Sequence, residues 1–367
     1  MTHYEIENLV IGAGVVGLAC ARQIALSGQE CLVLEAKECF GAGVSSRNSE
    51  VVHAGMYYPT GSLKAKLCVR GRHLLYEYCK TKSIKHRKIG KIIVATSDLQ
   101  LSRLAIIKKQ AKLNKVDGVS YLSSKEVSTL EPEVVCLGAL YSEETGILDS
   151  HSFMTSLLAD YESLGGLMAY RCPVIELKIS NGGITATAGI EEVTTIKARK
   201  IINASGHSAP KILMQSPGFS KDFIPNQWYA KGNYFSLSGR QPFNHLIYPI
   251  PEDAGLGVHA TIDLNGRCRF GPDVQWVENE FDFHVDRERL DIFFDAISQY
   301  WPGIARNKLM PDYAGIRPKI HGPGSQMPDF LIQSSKDHGI DGLINLLGIE
   351  SPGLTASLAI AEYVNAL

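Results

Sequence analysis

The stretch from Leu9 to Ala19, which reads LVIGAGVVGLA, constrains the fold of this chain more than any other. Its apolar run Leu9–Ile11 predicts a buried parallel strand, which leads directly into a glycine-rich turn and a helix-forming sequence. In such a unit Gly12 makes the tight turn, Gly14 lets the backbone approach a pyrophosphate, and Gly17 lets the helix pack close to the strand. We therefore predict a dinucleotide site with the phosphates on free amides at the helix N-terminus.

A second strand, predicted at Cys31–Leu34, ends at an acidic residue, Glu35. An acidic side chain at that point of the unit hydrogen-bonds a ribose hydroxyl, and its charge disfavours a nucleotide that carries a 2′-phosphate. The fingerprint by itself does not separate FAD from NAD. We include the neighbouring Val15, Val16 and Ala36 in the predicted nucleotide site.

Length and composition describe an ordinary globular protein. The chain has 367 residues, which exceeds the usual size of a single hydrophobic core, so we expect two domains. The hydrophobic share of 45% excludes a disordered chain, and the formal net charge of −1 gives no electrostatic reason to expect nucleic acid as a partner. No uncharged apolar stretch is long enough to predict a transmembrane segment.

Two further features bear on location and metals. Residues 1–7 carry acids instead of a basic region, so we predict no secretory signal and a cytoplasmic protein, with peripheral contact at the inner face of the membrane left open. The eight cysteines form no CxxC pair and no zinc spacing. We expect buried thiols in a reducing compartment and no metal site.

Strand–glycine–helix patterns recur along the chain and predict its organisation. Lys200–Gly206 reads as a strand that enters a second glycine turn, and Leu343–Leu347 leads through Gly348–Gly353 into a helix over Leu354–Val364. A block rich in strands separates them, at 223–300. The order indicates an α/β fold with a doubly wound, Rossmann-like nucleotide domain built from discontinuous segments and a β-sheet-rich substrate domain. We expect the nucleotide domain at 1–88, 145–218 and 312–367, and the substrate domain at 89–144 and 219–311.

Periodicity predicts further elements. Leu63–Lys80 has the apolar spacing of a helix, and we expect its basic residues to form a solvated face. Those residues are Lys64, Lys66, Arg70 and Arg72. Strands are predicted at 91–95, 172–179 and 184–188, the last two joined by a turn at 181–183, and helices at 99–113 and 124–130.

Strings along the whole chain resemble the FAD-dependent oxidoreductases of the D-amino-acid-oxidase and glycine-oxidase superfamily. Within it they are most similar to the branch that oxidises L-2-hydroxyglutarate. The resemblance implies FAD as the cofactor and a 2-hydroxy dicarboxylate as the substrate. The strings are GAGVVG from Gly12, RNSEVVHAGMYYPTGSLKAKLC from Arg47, NASG from Asn203, IYPIP from Ile247, GLGVHATIDLNG from Gly255, YAGIRP from Tyr313 and GIESPGLT from Gly348.

The C-terminal turn favours FAD over NAD on physical grounds. A helix that begins there would aim its amides at the pyrimidine edge of an isoalloxazine, where negative charge collects on reduction. For Val174, core packing is as good an explanation as contact with adenine. The cofactor contacts implied by the resemblance are Ser45, Ser46, Asn48, Ser49, Val174, Ala204, Gly206, Gly348, Pro352, Gly353, Leu354 and Thr355.

Oxidation of a 2-hydroxy acid needs a cation for the carboxylate and a base for the hydroxyl proton. Arg317 suits the first role, because a guanidinium binds a carboxylate in a bidentate manner. A histidine suits the second, since its ordinary pKa lies near neutrality, and His53 and His259 both stand in strings that resemble the family. The sequence does not separate the two. Tyr248 and Lys231 are candidate donors to a distal carboxylate or hydroxyl, or ordinary strand residues.

The leading hypothesis is therefore FAD-dependent oxidation of L-2-hydroxyglutarate to 2-oxoglutarate, with the electrons passed to a quinone or another acceptor that is not NAD. A second hypothesis keeps the scaffold but makes the substrate an amine, such as glycine, sarcosine or a D-amino acid, with hydrogen peroxide as a product. Amine oxidation has less need of a protein base, so the two histidines favour the first. A third is a flavoprotein that binds FAD without turnover.

Overall fold

The computed structural model describes residues 2–180, 183–250, 257–325 and 327–367. These ranges divide into two compact units. Unit 1 comprises Met1–Ser46, Ser150–Trp228 and Pro318–Leu367, and unit 2 comprises Arg47–Asp149 and Tyr229–Arg317.

The helices and strands follow one another in mixed order along the chain. The strands are β1 (Thr2–Ile11), β2 (Cys31–Leu34), β3 (Val51–Val52), β4 (His86–Arg87), β5 (Lys91–Ala95), β6 (Val119–Ser123), β7 (Gly138–Ser142), β8 (Gly146–Leu148), β9 (Leu167–Ala169), β10 (Val174–Ser180), β11 (Gly183–Ala188), β12 (Thr194–Asn203), β13 (Trp228–Leu237), β14 (Leu246–Pro249), β15 (Ala260–Ile262), β16 (Cys268–Phe270), β17 (Gln275–Val277), β18 (Leu309–Lys319), β19 (Leu331–Gln333) and β20 (Leu343–Leu347). The helices are α1 (Val15–Leu26), α2 (Leu63–Thr81), α3 (Asp98–Leu113), α4 (Ser124–Leu130), α5 (Ser150–Ser163), α6 (Ser208–Met214), α7 (Leu290–Ser298), α8 (Ser335–His338) and α9 (Gly353–Asn365).

Unit 1 is built on a mixed sheet in the order β10-β11-β12-β1-β2-β9, with β20 beside β12 and β19 beside β20. The strands that carry the predicted glycine turns run parallel: Ile11 pairs with Leu34 and Asn203, and Asn203 pairs with Asn345. Because the carboxyl ends of parallel strands share one edge of a sheet, the turns after β1, β12 and β20 lie along the same edge. This is the edge at which open α/β sheets bind their ligands.

Helix α1 packs against α9 and α5. Most of α1 is buried, including Leu18, Ala21 and Ile24, because small and aliphatic side chains face both the sheet and the neighbouring helices. The N-terminal and C-terminal strand–turn–helix patterns are therefore neighbours within one unit, as the sequence predicts.

Unit 2 contains a sheet in the order β17-β13-β16-β15-β14-β5-β7-β6, with β18 paired to β13. Its two faces enter different cores because side chains alternate along a strand. Ile92 and Ile247 enter one core together with Phe235. Ile93 and Tyr248 enter the other.

The bounds of the units differ from the predicted domain boundaries. Residues 47–88 and 145–149 belong to unit 2, because Val51 and Ile147, which pair across β3 and β8, lie in the same core as Ile93 of β5. Residues 219–228 belong to unit 1, and residues 312–317 to unit 2, where β18 pairs with β13.

The expected solvated face of α2 is only half correct. Lys66 and Arg70 are exposed, but Lys64 and Arg72 are buried. The Arg72 guanidinium tolerates burial because it donates to the Ala54 carbonyl at 3.0 Å and lies 3.6 Å from the Glu144 carboxylate.

Most other predicted elements are confirmed, among them the strands at 91–95 and 184–188 and the helices at 99–113 and 124–130. Part of the predicted turn at 181–183, namely residues 181 and 182, lies outside the described residues, as do Pro251 of the IYPIP string and the first two residues of the GLGVHATIDLNG string.

Candidate active site

The first glycine turn has the geometry that its sequence predicts. Gly12 has a φ of +97°, which favours glycine, and its amide donates to the Leu34 carbonyl at 2.8 Å. A Cβ on Gly17 would lie 1.9 Å from the Gly12 carbonyl oxygen, so α1 reaches this close approach to β1 only with glycine.

The start of α1 leaves room for a ligand. Gly14 is the N-cap and has no side-chain capping bond, while the Val15 amide donates to Ser45 Oγ at 3.0 Å. A Cβ on Gly14 would meet no atom closer than this hydroxyl, at 3.1 Å. Glycine at 14 is thus not demanded by internal packing, as expected where the backbone must approach a pyrophosphate.

Glu35 is held rigidly at the end of β2. One carboxylate oxygen accepts from the Ala13 amide at 2.7 Å, and the other accepts from the Lys37 amide at 2.8 Å. Each oxygen retains a lone pair, so the carboxylate fits a ribose hydroxyl as an additional donor.

The other two turns lie beside the first. The Ala204 amide donates to the Ile11 carbonyl at 3.0 Å, and Gly206, with φ +59°, would place a Cβ in open space. Gly348 has φ +64°, and α9 begins at Gly353. Three loops with glycines at positive φ or at a helix start therefore converge on one edge, and these residues fit a dinucleotide.

A buried ion pair supports the C-terminal turn. Lys319 Nζ lies 2.7 Å from Glu350 Oε2, and both side chains are almost fully buried. Within the same turn, Thr355 is completely buried, while Leu354 is half-buried and Pro352 caps α9.

The remaining predicted cofactor residues fall in both units. In unit 1, Ser46 Oγ donates to the Gly43 carbonyl at 3.0 Å, and Val174 opens β10. In unit 2, Asn48 Oδ1 accepts from the Glu50 amide at 2.7 Å. Ser49 Oγ lies 2.7 Å from the Tyr234 hydroxyl. Val16 is half-buried on α1, and Ala36 is exposed after Glu35.

Unit 2 brings three of the predicted substrate residues into one cluster. The rings of Tyr248 and His259 are stacked, with centroids 3.5 Å apart and an angle of 11° between the planes, and both are buried. His53 belongs to the same region: burial lowers its pKa to about 3, and the neighbouring Lys91 ammonium contributes. His53 is therefore a neutral imidazole at neutral pH, with a lower pKa than the sequence argument assumed.

Arg317 carries a positive charge that no described carboxylate is seen to offset. Its guanidinium donates to the carbonyls of Asp273 at 2.7 Å, Ala230 at 3.2 Å and Lys231 at 3.5 Å. Carbonyl acceptors orient the group without neutralising it, so the guanidinium is preorganised for an anion.

Lys231 is not brought together with these residues. Lys231 and Tyr234 are three residues apart on β13 and so point to opposite faces of the sheet. Lys231 points to the same face as Phe235, whose core lies on the opposite face of the sheet from Tyr248. Its ammonium is engaged by the Asp282 carboxylate at 2.7 Å and the His284 carbonyl at 2.9 Å. The structure thus gives Lys231 a structural ion pair on the face opposite Tyr248.

Sequence reasoning missed Lys91 and Tyr57. Lys91 is 1% exposed at the start of β5, and its Nζ lies 4.7 Å from the ring centroids of both Tyr57 and Tyr248. The available signal was a lysine directly before the apolar run IIVA, at the start of a strand predicted to be buried.

The discontinuous Rossmann-like sheet, its converging glycine turns and the β-rich second unit define a two-domain flavoprotein oxidoreductase. The chain belongs to the FAD dependent oxidoreductase family designated DAO, whose model matches residues 8–367, and the protein is an FAD-dependent enzyme. The predictions of fold class and of FAD as the cofactor are confirmed.

Two curated relatives carry the same enzyme name. The mitochondrial L-2-hydroxyglutarate dehydrogenase of Arabidopsis thaliana is 43% identical, with 98% of this chain and 83% of the relative covered. L-2-hydroxyglutarate dehydrogenase of Escherichia coli strain K12 is 26% identical, with 98% and 92% covered. The chain is thus similar to these enzymes over nearly its whole length.

Solved structures share the fold. L-alpha-glycerophosphate oxidase from Mycoplasma pneumoniae, with FAD bound, has a TM-score of 0.87 at 23% identity and covers 98% of this chain and 93% of its own. Glycine oxidase from Geobacillus kaustophilus has a TM-score of 0.81 at 18% identity, with 99% and 94% covered.

The described ranges contain neither a candidate membrane span nor a candidate metal centre. No helix there combines the length and the apolar character needed to cross a bilayer. No group of three or more His, Cys, Asp or Glu side chains among the described residues could hold a metal ion.

Proposed function

We propose that this protein oxidises L-2-hydroxyglutarate to 2-oxoglutarate and passes the electrons to a quinone or another acceptor that is not NAD. The similarity to L-2-hydroxyglutarate dehydrogenases supports the substrate. The observation that carries the proposal is that unit 2 contains both a guanidinium oriented by carbonyls and two candidate imidazoles, His53, which is neutral at neutral pH, and His259, which is stacked on Tyr248.

In this proposal the three glycine turns of unit 1 hold FAD. Glu35 binds a ribose hydroxyl, the start of α1 beside Gly14 and Ser45 receives the pyrophosphate, and the start of α9 at Gly353 stabilises negative charge on the pyrimidine edge. The bound flavin supplies a hydride acceptor at N5. The further cofactor contacts proposed are Val15, Val16, Gly12, Gly17, Ala36, Ser46, Asn48, Ser49, Val174, Ala204, Gly206, Gly348, Pro352, Leu354 and Thr355.

Arg317 binds the carboxylate next to the reacting carbon. Its Nε and Nη2 donate to backbone carbonyls, so the N–H groups of Nη1 are the ones left to donate to the carboxylate. Its carbonyl partners hold it in place before substrate arrives, so little ordering is left to occur on binding.

A histidine accepts the hydroxyl proton. Both His53 and His259 are candidates. Burial lowers the pKa of His53, so its imidazole is unprotonated at neutral pH and able to accept a proton, although it is a weaker base than an ordinary histidine. The stacked Tyr248 ring fixes the plane of His259 and so sets the direction in which its lone pair points. One histidine acts as base and the other orients the hydroxyl in this proposal.

The test is product formation by the holoenzyme with an artificial electron acceptor. We expect 2-oxoglutarate to form from L-2-hydroxyglutarate at a rate at least about tenfold above that with the D-enantiomer, since the hydride donor must face one side of a fixed flavin. Glycerol 3-phosphate belongs in the panel because a glycerol 3-phosphate dehydrogenase is also among the relatives, at 25% identity. Turnover of glycerol 3-phosphate alone would contradict the proposed substrate.

The alternative is an amine or amino-acid oxidase that produces hydrogen peroxide. The shared fold with glycine oxidase keeps this alternative under test, although that likeness concerns the fold only. Peroxide release from glycine, sarcosine or D-alanine, without turnover of any 2-hydroxy acid, would favour it.

A quinone acceptor implies contact with a membrane, so we propose that the protein works at the cytoplasmic face as a peripheral enzyme. The support is chemical: quinones are confined to the lipid phase. Co-sedimentation with liposomes, together with reduction of a short-chain quinone, tests this part independently of the substrate.

A further inference from the structure

We propose that Lys91 and Tyr57 form a subsite of unit 2 that binds the distal carboxylate of a dicarboxylate substrate. The inference deepens the proposed function and rests on it for the identity of the substrate. Tyr248 and Lys231 are the candidates from the sequence for the distal group, and the Lys231 ammonium is already paired with the Asp282 carboxylate.

The first observation is the setting of the Lys91 ammonium. The side chain is 1% exposed, and Nζ lies 4.7 Å from each of the Tyr57 and Tyr248 ring centroids. Within the part of the chain that the structure describes, no carboxylate is paired with this ammonium. Aromatic rings stabilise a cation only partly, so a buried ammonium held in this way retains a strong demand for an anion.

The second observation is an unsatisfied hydroxyl beside that ammonium. Tyr57 Oη is buried and forms no hydrogen bond with any described residue. Buried hydroxyls nearly always have a partner, which is either a water or a ligand group when no protein atom serves. A carboxylate satisfies both groups at once, because it accepts from the hydroxyl and neutralises the ammonium.

The third observation is the face of the sheet on which Lys91 lies. Lys91 alternates with Ile92 and so points to the same side as Ile93, which pairs with Tyr248 across β5 and β14. The proposed subsite is therefore contiguous with Tyr248 and with the stacked His259.

A row of tyrosines links this subsite to the arginine. Burial raises the pKa of Tyr248, and its neighbours Tyr57 and Tyr234 raise it further. Burial also raises the pKa of Tyr234, against an opposing effect of nearby Arg317. Tyr248 therefore lies near both Tyr57 and Tyr234, and Tyr234 lies near Arg317, so unit 2 offers two cations to a substrate with two carboxylates.

The experiment compares two five-carbon substrates that differ in the distal group. L-2-hydroxyglutarate carries the second carboxylate and L-2-hydroxyvalerate carries a methyl group. We expect Lys91→Met in the holoenzyme to lower the ratio of their kcat/KM values by about 10- to 100-fold, the usual weight of a charged hydrogen bond. Any effect of Lys91 on His53 acts on both substrates and cancels in this ratio.

Two further variants sharpen the comparison. Tyr57→Phe removes only the hydroxyl, and we expect it to lower the ratio by about 3- to 10-fold. Lys125→Met changes an exposed lysine of α4 in the same unit and serves as the matched control, with an unchanged ratio. The melting temperature of Lys91→Met is expected to be no lower than that of the wild type, because the substitution removes a buried charge and keeps an unbranched apolar side chain.

Calorimetry with unreactive acids separates this inference from the proposed function. Wild-type holoenzyme should bind glutarate more tightly than valerate, and Lys91→Met should abolish that preference, whether or not L-2-hydroxyglutarate is oxidised. Loss of turnover with this binding preference intact would overturn the proposed reaction alone. A ratio in Lys91→Met within about twofold of wild type, or a wild type that binds both acids equally, would overturn the subsite.

Discussion

At the scale of single residues, the proposed site rests on two cations that no described carboxylate offsets. The half-buried Arg317 donates to backbone carbonyls, and Lys91 is buried between aromatic rings. A buried, unpaired charge lowers the free energy of unfolding, and proteins retain it where a ligand of opposite charge binds to it. We therefore propose that the two cations recognise anions and that a histidine transfers the proton.

Arg317→Lys should raise the KM for L-2-hydroxyglutarate by about 10- to 100-fold, because a planar guanidinium held by three carbonyls becomes an ammonium on a flexible stem. Steady-state kinetics on the variant give the value, and its flavin absorbance reports that FAD is still bound. An unchanged KM would remove Arg317 from the substrate site.

His53→Ala and His259→Ala should differ in their kinetics. The variant that lacks the base should lose about 10²- to 10⁴-fold in kcat, whereas loss of an orienting residue should act mainly through KM. Rapid-reaction measurement of flavin reduction identifies the base. If both variants reduced the flavin as fast as wild type, neither histidine would be the base.

The pH dependence of substrate binding should follow Lys91, whose pKa burial lowers to about 7. The groups that face it, His53, Tyr57, Cys68 and Tyr248, are all neutral near pH 7, since burial lowers the pKa of the imidazole and raises those of the others. Deprotonation above that pKa removes the cation, so the KM for L-2-hydroxyglutarate should rise with pH.

L-2-hydroxyvalerate supplies the control for this pH effect, because it lacks the distal carboxylate. Once Lys91 is deprotonated, the ratio of the two KM values should change by at most about tenfold per pH unit. A ratio that stays constant from about pH 6 to about pH 9 would contradict the assignment.

At the scale of elements, the glycine turns obey two different constraints. A Cβ at 17 collides with the backbone of Gly12, whereas a Cβ at 14 meets only the Ser45 hydroxyl at 3.1 Å. Gly17 thus serves the packing of α1 on β1, and Gly14 has no comparable packing role.

Gly17→Ala and Gly14→Ala therefore form a matched pair. We expect Gly17→Ala to lower the free energy of unfolding by about 2 kcal/mol or more and to reduce FAD occupancy, because backbone must shift. Gly14→Ala should keep the fold of the apoprotein and lose FAD affinity. Thermal melting of the apoproteins and FAD titration separate the two, and equal destabilisation by both substitutions would contradict this division of roles.

The sequence predicts a feature of the structure well when the residues that determine that feature are close together in the chain. The first turn is fixed by residues within one strand–turn–helix, so Gly12, Gly17 and Glu35 were recognisable without a structure. Lys91 and Arg72 were not, because their burial is decided by partners far away in the chain, such as Tyr248 and Glu144.

The face of the sheet on which a side chain lies explains why the sequence alone did not separate Tyr248 from Lys231. Tyr248 and Lys231 both stand in strings that resemble the family, yet they lie on opposite faces of the sheet. Which face enters the site is set by pairing across several strands, and one residue of register reverses it. A single sequence does not contain that information.

At the scale of the whole molecule, the chain assembles each unit from separated segments. Unit 1 gathers its glycine turns from both ends of the sequence onto one sheet edge, and unit 2 supplies the cations and imidazoles. The proposed function requires both sets in one enzyme: a flavin held by the first and a hydroxy dicarboxylate bound by the second.

Anaerobic mixing of the holoenzyme with L-2-hydroxyglutarate, followed at the flavin absorbance, tests this requirement most directly. The account predicts full bleaching of the oxidised flavin by L-2-hydroxyglutarate, and none by glycine or D-alanine. Bleaching by the amines together with no change on adding L-2-hydroxyglutarate would contradict it.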